Sequence, residues 1–248
     1  MSTPDTPHDT TDPSAGRSTA GSTARSLKHH SWRLLGMFAV IGLSLWGFGG
    51  LAGELREGEI FPFDRPVLEA LHAMATPARD QFFLLVSRLG FAQGVVPFDA
   101  LLIVTLLVIR RFREATFAAL AILGSLLLNV GAKHYFGRVR PAFWQSLAPE
   151  TTFSFPSGHA MGSMTLAAVC VLLAWKSRWR WPVLAAAVVA VVLVGLSRMY
   201  LGVHYPSDIL AGWTAALAWT VGVYWVMFHR DERPFGPRAA AAGQGLGR

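Results

Sequence analysis

The sequence predicts an all-α fold: a polytopic membrane helical bundle of about six transmembrane helices, with interfacial helices between the first and second. Composition is the first indication, because 52% of the residues are hydrophobic and 15% are charged, whereas soluble domains carry about 25% charged residues. The second is that the apolar residues form separate spans which, with their flanks, suit a bilayer core of about 30 Å. These spans are 34–53, 92–109, 115–132, 160–175, 181–196 and 209–228.

The two ends of the chain differ from these spans in composition. Residues 1–30 are rich in Ser, Thr, Pro, Gly and Asp, and residues 230–248 in Ala, Gly, Pro and Arg. Segments with so few large apolar residues cannot bury enough surface to become ordered. We therefore expect a membrane domain at 31–229 between two disordered tails, and no signal peptide, because the first apolar run comes too late.

The basic residues predict the orientation. The net charge of +7 would suggest nucleic acid in a soluble protein, but here Lys and Arg gather in short segments between apolar spans, so we expect no nucleic-acid partner. These groups are Arg25, Lys28 and Arg33; Arg110, Arg111 and Arg113; and Lys176, Arg178 and Arg180. All three fall on one side of the membrane, which the positive-inside rule makes the cytoplasm, with both termini.

The segment 54–93 carries more acidic than basic residues and suits the outer face. Pro77 separates two amphipathic pieces, which either lie flat in the interface or pack over the bundle as a lid. We expect His72, in the first piece, to be a surface or packing residue. Asp99 in the second span is expected to snorkel or pair, with ion handling as the alternative. Cys170, the single cysteine, is expected to be a small buried residue.

The first chemical cluster follows the third span, where Lys133 precedes Arg140 and Pro141. Arg140 offers a planar fork suited to two phosphate oxygens, and Lys133 a point charge. The alternative is that these cations only complement the helix dipole and anchor the helix at the headgroups. Arg138 either assists or faces solvent or lipid headgroups, and His134 has no assigned partner.

The second cluster, Pro156-Ser157-Gly158-His159, directly precedes the fourth span. Ser157 is a good helix N-cap, and Gly158 permits close approach of the backbone. The free N–H groups at a helix start bind anions, so even a simple cap creates a phosphate cradle. Helix capping does not require His159, which therefore points to chemistry.

The third cluster begins with Ser197 and Arg198 at the end of the fifth span and continues to His204 and Asp208. If a helix starts near Pro206, Asp208 reaches back to one nitrogen of His204. Such a carboxylate fixes the imidazole tautomer and raises the nucleophilicity of the other nitrogen. The alternative is an interfacial histidine capped by an aspartate.

All three clusters fall on the outer side, opposite the basic loops that set the topology. Their order, Lys-x6-Arg-Pro, Pro-Ser-Gly-His and Ser-Arg-x5-His-x3-Asp, resembles the type 2 phosphatidic acid phosphatase (PAP2, or lipid phosphate phosphatase) superfamily, integral-membrane branch. The matching residues are Lys133, Arg140, Pro141, Pro156, Ser157, Gly158, His159, Ser197, Arg198, His204 and Asp208. The six spans also resemble that branch, whereas the tails lie outside the resemblance.

The resemblance implies a PAP2-type transmembrane phosphatase domain at 31–229 that needs no metal or other cofactor. His204 would attack phosphorus to form a phosphohistidine, with Asp208 orienting it. His159 would protonate the leaving group and then activate water. The remaining site residues would hold the phosphate oxygens: Lys133, Arg140, Arg198, the Ser157 side chain and the Gly158 amide.

The implied partners are the bilayer and a lipid phosphate or pyrophosphate, at the inner (plasma) membrane of a bacterium with the site facing outward. Candidate substrates are phosphatidic acid, phosphatidylglycerol phosphate and undecaprenyl pyrophosphate, the last favoured by analogy. Three alternatives stay open: a lipid-linked phosphotransferase on the same site, a vanadate-binding haloperoxidase, which is generally soluble, and a non-catalytic membrane transporter or structural protein. The oligomeric state is not predicted.

Overall fold

The computed structural model describes the backbone of residues 15–58 and 61–229, and side chains from residue 34 within those ranges. The chain divides into two compact units, Met1–Ala39 and Val40–Arg248, and the contacts reported below lie within the second. The predicted tail at 1–30 stays a prediction, since residues 1–14 lie outside the described part and residues 15–30 are described only as helical backbone. The predicted tail at 230–248 also lies outside the described residues.

The described residues form helices joined by turns and loops, as predicted. The helices are α1 (Ala15–Arg56), α2 (Asp64–Ala73), α3 (Pro77–Leu89), α4 (Val95–Val108), α5 (Phe112–Phe136), α6 (Gly158–Ala174), α7 (Arg180–Tyr200) and α8 (Pro206–Phe228). Each predicted span coincides with one apolar helix of this series. Four stretches in the described part are long and apolar enough to cross a bilayer: α1 from Leu34, α5, α7 and α8.

The other two apolar helices, α4 and α6, are shorter. The 14 residues of α4 extend about 21 Å at 1.5 Å per residue, less than a bilayer core of about 30 Å. α4 also begins three residues later than the predicted span, because residues 91–94 form a turn. Asp99 is half-buried in α4 and its Oδ1 has no hydrogen-bond partner among the described residues. Cys170 is half-buried in α6.

The two predicted amphipathic pieces are α2 and α3, and they pack against the bundle. α3 contacts α7, while α2 contacts both α7 and α8, so the two pieces pack on the bundle; their position relative to the bilayer surface stays a prediction. The hydroxyl of Tyr200 donates to Asp80 at 2.6 Å, and the Phe83 ring lies 4.3 Å from the Tyr200 ring. His72 stacks on Trp144 at 4.0 Å, as a packing residue. Both amphipathic helices are thereby attached to the end of the bundle where α7 stops and α8 starts.

The bundle core is formed by α5, α6, α7 and α8, with α6 packed against the other three. α5 and α6 are joined in the buried core by a hydrogen bond of 2.7 Å between Ser125 and Thr165. Asn129 of α5 donates to the carbonyl of Pro156 at 3.1 Å, which ties the loop before α6 to the bundle. Because successive helices reverse direction, the C-terminal ends of α5 and α7 and the N-terminal starts of α6 and α8 meet at one end.

The turns at this end are defined by local signals. Gly137 ends α5 in the left-handed region, with φ +57°, and its N–H donates to the carbonyl of Lys133 at 3.0 Å. Ser157 is the N-cap of α6, and Pro206 is the first residue of α8, both as predicted. These three turns carry the side chains of the three chemical clusters to the same end of the bundle.

Candidate active site

His204 and Asp208 form the predicted pair. His204 is fully buried, and its Nδ1 lies 3.3 Å from Oδ2 of Asp208. The same carboxylate oxygen accepts the N–H of Tyr205 at 2.9 Å, which holds the aspartate in the first turn of α8. The contact leaves Nε2 of His204 facing the opposite way, toward the other predicted residues.

Arg140 lies against that second nitrogen. Its Nη1 is 3.0 Å from Nε2 of His204 and donates to the carbonyl of Val203 at 2.7 Å. Its Nε donates to the Thr152 carbonyl at 2.6 Å, and its Nη2 donates to the Thr152 hydroxyl at 3.0 Å. Nζ of Lys133 donates to the same hydroxyl at 3.0 Å. Thr152 therefore holds the two predicted phosphate-binding cations side by side.

Glu150 occupies the centre of the site, and sequence reasoning missed it. Its Oε2 lies 2.5 Å from Nη2 of Arg140 and 4.0 Å from Nε2 of His204. Its Oε1 pairs with Arg198 and lies 3.9 Å from Nδ1 of His159. The signal that was available is that Glu150 is the single acidic residue between positions 133 and 159, a stretch with three Lys or Arg residues.

Arg198 is buried at the end of α7. It donates to Ser87 of α3 as well as to Glu150. Ser87, like Glu150, was not predicted, because the amphipathic pattern of α3 gives no indication of which residue faces α7. The amphipathic segment thus contributes directly to fixing one of the predicted phosphate-binding residues.

Ser157 and Gly158 lie at the start of α6 with the structural roles that their residue types favour. The Ser157 hydroxyl, fully buried, accepts the N–H of Ala160 at 3.5 Å. A Cβ at position 158 would lie 3.1 Å from Oδ1 of Asn129, so glycine permits the close approach of α6 to α5. His159 follows, its side chain 16% exposed and its ring 5.0 Å from that of Phe91.

Arg138 is mostly buried. It faces neither solvent nor lipid headgroups, the two predicted alternatives to an assisting role. It donates to Oδ1 of Asp208 at 2.5 Å and to Oδ2 of Asp64 at 2.8 Å, and its side chain is 12% exposed. Asp64, at the start of α2, is one of the acidic residues of the segment 54–93, and nothing in the sequence pattern indicates its contact with Arg138. His134, by contrast, lies outside the cluster and contacts the carbonyl of Val130 at 2.8 Å.

The electrostatics of the site favour a neutral imidazole beside an ionised carboxylate. Burial, and then the cations Arg140 and Arg198, hold the pKa of His204 well below its ordinary value. Burial alone would raise the pKa of Glu150, but Arg198 and Arg140 outweigh it and lower that pKa. A neutral imidazole that carries its proton on Nδ1 and none on Nε2 is the form that acts as a nucleophile. Within 34–58 and 61–229, no three His, Cys, Asp or Glu residues are grouped as metal ligands.

The arrangement brings a buried histidine–aspartate pair, a second histidine and three cations together around the Glu150 carboxylate. The sequence profile of the PAP2 superfamily matches residues 114–232, which include every predicted site residue. A relative named phosphatidylglycerophosphatase B, from Bacillus subtilis, is 29% identical over 172 residues, covering 67% of this chain and 84% of the relative. An undecaprenyl-diphosphatase from Sulfolobus acidocaldarius is 28% identical over 192 residues, covering 75% and 85%.

Solved structures share the fold. The crystal structure of a transmembrane PAP2 type phosphatidylglycerolphosphate phosphatase from Bacillus subtilis matches with a TM-score of 0.70 and 27% identity, covering 80% of this chain and all of that one. Aquifex aeolicus LpxE matches with a TM-score of 0.56 and 24% identity, covering 66% and 96%, which shows the fold alone. The sequence match over residues 114–232, the named relatives and the shared membrane fold together show that this chain is an integral membrane protein that carries a phosphatase domain of the PAP2 superfamily.

Proposed function

We propose that this phosphatase hydrolyses a lipid phosphate or polyprenyl pyrophosphate in two steps, through a phosphohistidine on His204. The observation that carries the proposal is the convergence of Arg140, Arg198, His159 and His204 on the Glu150 carboxylate. That carboxylate stands where a substrate phosphate would receive the same cations and face the same nucleophile. The names of the two relatives support the substrate class.

In the first step, Nε2 of His204 forms a bond to phosphorus while the bond from phosphorus to the leaving oxygen breaks. Asp208 holds the Nδ1 proton and compensates the positive charge that develops on the imidazole. Arg140, Arg198 and Lys133 neutralise the charge on the equatorial oxygens, which is the main requirement of phosphoryl transfer. Burial and the cations Arg198, Lys133 and Arg140 hold the pKa of His159 at about 3, so His159 takes up a proton together with the negatively charged substrate. It then donates this proton to the leaving oxygen, releasing an alcohol or a monophosphate.

In the second step, water attacks the phosphohistidine. His159, now neutral, accepts a proton from the water as its oxygen bonds to phosphorus. The phosphorus–nitrogen bond breaks, the electron pair returns to Nε2, and inorganic phosphate leaves. Glu150 must move aside for the substrate, which its 27% exposed side chain permits, and it can return when phosphate departs.

The direct test is phosphate release by the purified protein in detergent. Phosphatidic acid, phosphatidylglycerol phosphate and undecaprenyl pyrophosphate should be compared, with and without EDTA. We expect EDTA-resistant release of inorganic phosphate from at least one of these lipids. Loss of activity on chelation, restored by Mg²⁺, would contradict the mechanism, and transfer of the phosphoryl group to a lipid acceptor without phosphate release would favour a phosphotransferase.

We further propose that the site faces the outer side of the inner (plasma) membrane of a bacterium and that both termini are cytoplasmic. Support comes from the basic residues in the loops before α5 and before α7. In a Cys170→Ala background, Gln145→Cys, at an exposed position of the α5–α6 loop, should react with an impermeant thiol reagent in intact cells. Lys176→Cys, on the opposite side, should react only after lysis, and the reverse labelling pattern would overturn the orientation.

A further inference from the structure

A buried chain of charges extends from the nucleophile to helix α2. Arg138 places Nη1 on Asp208 and Nη2 on Asp64. Ser207 strengthens the outer end, because its N–H and its hydroxyl donate to the two oxygens of Asp64 at 2.9 and 2.6 Å. Both carboxylates are buried. The order of contacts is therefore Asp64, Arg138, Asp208, His204.

Arg138 binds a different carboxylate with each of its two terminal nitrogens, and this affects the contact between Asp208 and His204. An arginine beside a single buried carboxylate tends to bind both of its oxygens, in the bidentate arrangement that the fork favours. Here such a contact would take Oδ2 of Asp208, the oxygen that lies against Nδ1 of His204. Because Asp64 accepts from Nη2, Arg138 gives only Nη1 to Asp208, and the second oxygen remains available to the histidine.

Aromatic rings hold the guanidinium in this plane. The Arg138 guanidinium carbon lies 4.1 Å from the centre of the Tyr205 ring and 5.4 Å from that of Phe61. Stacking of this kind restricts rotation of the guanidinium and adds cation–π attraction. Asp208 is therefore supported from the amphipathic segment through Arg138, in addition to the Tyr205 N–H.

We propose that Asp64 is a positioning residue for phosphoryl transfer, which acts through Arg138 to keep Oδ2 of Asp208 on Nδ1 of His204. The proposal deepens the proposed function and rests on its assignment of His204 as nucleophile. Asp64 does not contact the anion position occupied by Glu150, so its loss should slow the chemical step and leave substrate binding unchanged.

The experiment compares Asp64→Asn with wild type in purified full-length protein. We expect kcat to fall about ten- to hundredfold, with KM and inhibition by inorganic phosphate within about twofold. Glu69→Gln is the matched control, since Glu69 lies on the same helix in an exposed ion pair with Arg65; it should leave both constants unchanged. A kcat equal to that of wild type, or a rise in KM that accounts for the whole loss, would overturn the proposal.

Two further variants separate positioning from general destabilisation. Asp64→Asn added to Asp208→Asn should cost much less than Asp64→Asn alone, because no nucleophile-bound carboxylate remains to be positioned; full additivity would contradict the proposal. If Asp64→Asn does not fold, Asp64→Glu keeps the charge and should show the same loss of kcat at unchanged KM.

His204→Gln reports on the proposed function itself: if it retains activity, that function fails, and if it is inactive while Asp64→Asn is normal, only the positioning role fails.

Discussion

Arg138 and Arg140 are two residues apart, follow the same glycine and both bind carboxylates, yet their surroundings differ. The partners of Arg138, Asp64 and Asp208, are side chains that are 3% and 0% exposed. The acidic partner of Arg140 is Glu150, which is 27% exposed. One arginine therefore binds two carboxylates that are closed to solvent, and the other binds a carboxylate that solvent can reach.

Burial of the acidic partner explains the difference. Removing one member of a buried ion pair leaves an uncompensated charge in a low-dielectric site, at a cost of about 3–5 kcal/mol. Removal of a partner costs less where the carboxylate is 27% exposed, as in Glu150, because water can solvate part of the charge that remains. Residue type alone therefore does not distinguish an arginine that binds an anion from a structural one, whereas the exposure of its acidic partner does.

The largest effect is expected at His204, which contacts both Asp208, a partner of Arg138, and Arg140 itself. We expect His204→Gln to lower kcat at least about a thousandfold, since a covalent nucleophile is lost, while the protein remains folded. Radiolabelled substrate in a rapid-quench experiment should label wild type but not the variant. Near-normal turnover in the variant would contradict the role of His204.

Matched Arg→Lys variants distinguish the role of Arg138 from that of Arg140. Arg140→Lys should weaken inhibition by inorganic phosphate and raise KM about tenfold or more, because a bidentate fork is replaced by a point charge. Arg138→Lys should lower kcat by a similar factor and leave inhibition by inorganic phosphate unchanged, since Arg138 contacts Asp208 and Asp64 and not the anion position. Inhibition constants measured on both proteins provide the comparison, and equal effects on phosphate binding would abolish the distinction.

A smaller effect is expected at Glu150. Glu150→Gln removes the charge that competes with a bound anion for Arg140 and Arg198. We expect phosphate and vanadate to inhibit this variant about three- to tenfold more tightly, which corresponds to about 0.7–1.4 kcal/mol. Pro149→Ala, at the neighbouring exposed position, is the control and should not change inhibition. Unchanged or weaker inhibition of Glu150→Gln would show that the carboxylate does not compete with the anion.

The smallest effect concerns pH. Because burial and the nearby cations hold the pKa of His204 well below its ordinary value, the unfolded chain takes up a proton below about pH 6.5 that the folded protein does not. The free energy of unfolding should thus fall with decreasing pH, by at most about 1.4 kcal/mol per unit from this group. Glu150, whose pKa is lowered, stays ionised in both states above about pH 5.5.

Melting temperatures in detergent at pH 7.5 and 5.5 test this expectation. Wild type should lose more stability over this interval than His204→Gln, which lacks the titrating group. Equal losses in both proteins would show that His204 takes up its proton in the folded state as readily as in the unfolded one.

The sequence was sufficient to predict the apolar helices and the motif residues at one end of the bundle. Alternating helix direction brings His159, Arg140 and His204 to the same end, and capping chemistry predicts the turns at Ser157 and Pro206. The sequence was not sufficient to predict Glu150 and Thr152 as site residues, because they lie in an irregular loop without periodicity. Asp64 and Ser87 were also missed, because only tertiary packing of α2 and α3 on α7 and α8 brings them to the site.

Gly137 makes the two neighbouring arginines depend on one backbone angle. With φ at +57°, this residue occupies a region that costs other residue types about 1–2 kcal/mol. A side chain at position 137 would favour a different path for the chain leaving α5, and Arg138 and Arg140 would be redirected together. Substitution of Gly137 is therefore expected to lower kcat, through Arg138, and the affinity for an anion, through Arg140, at the same time.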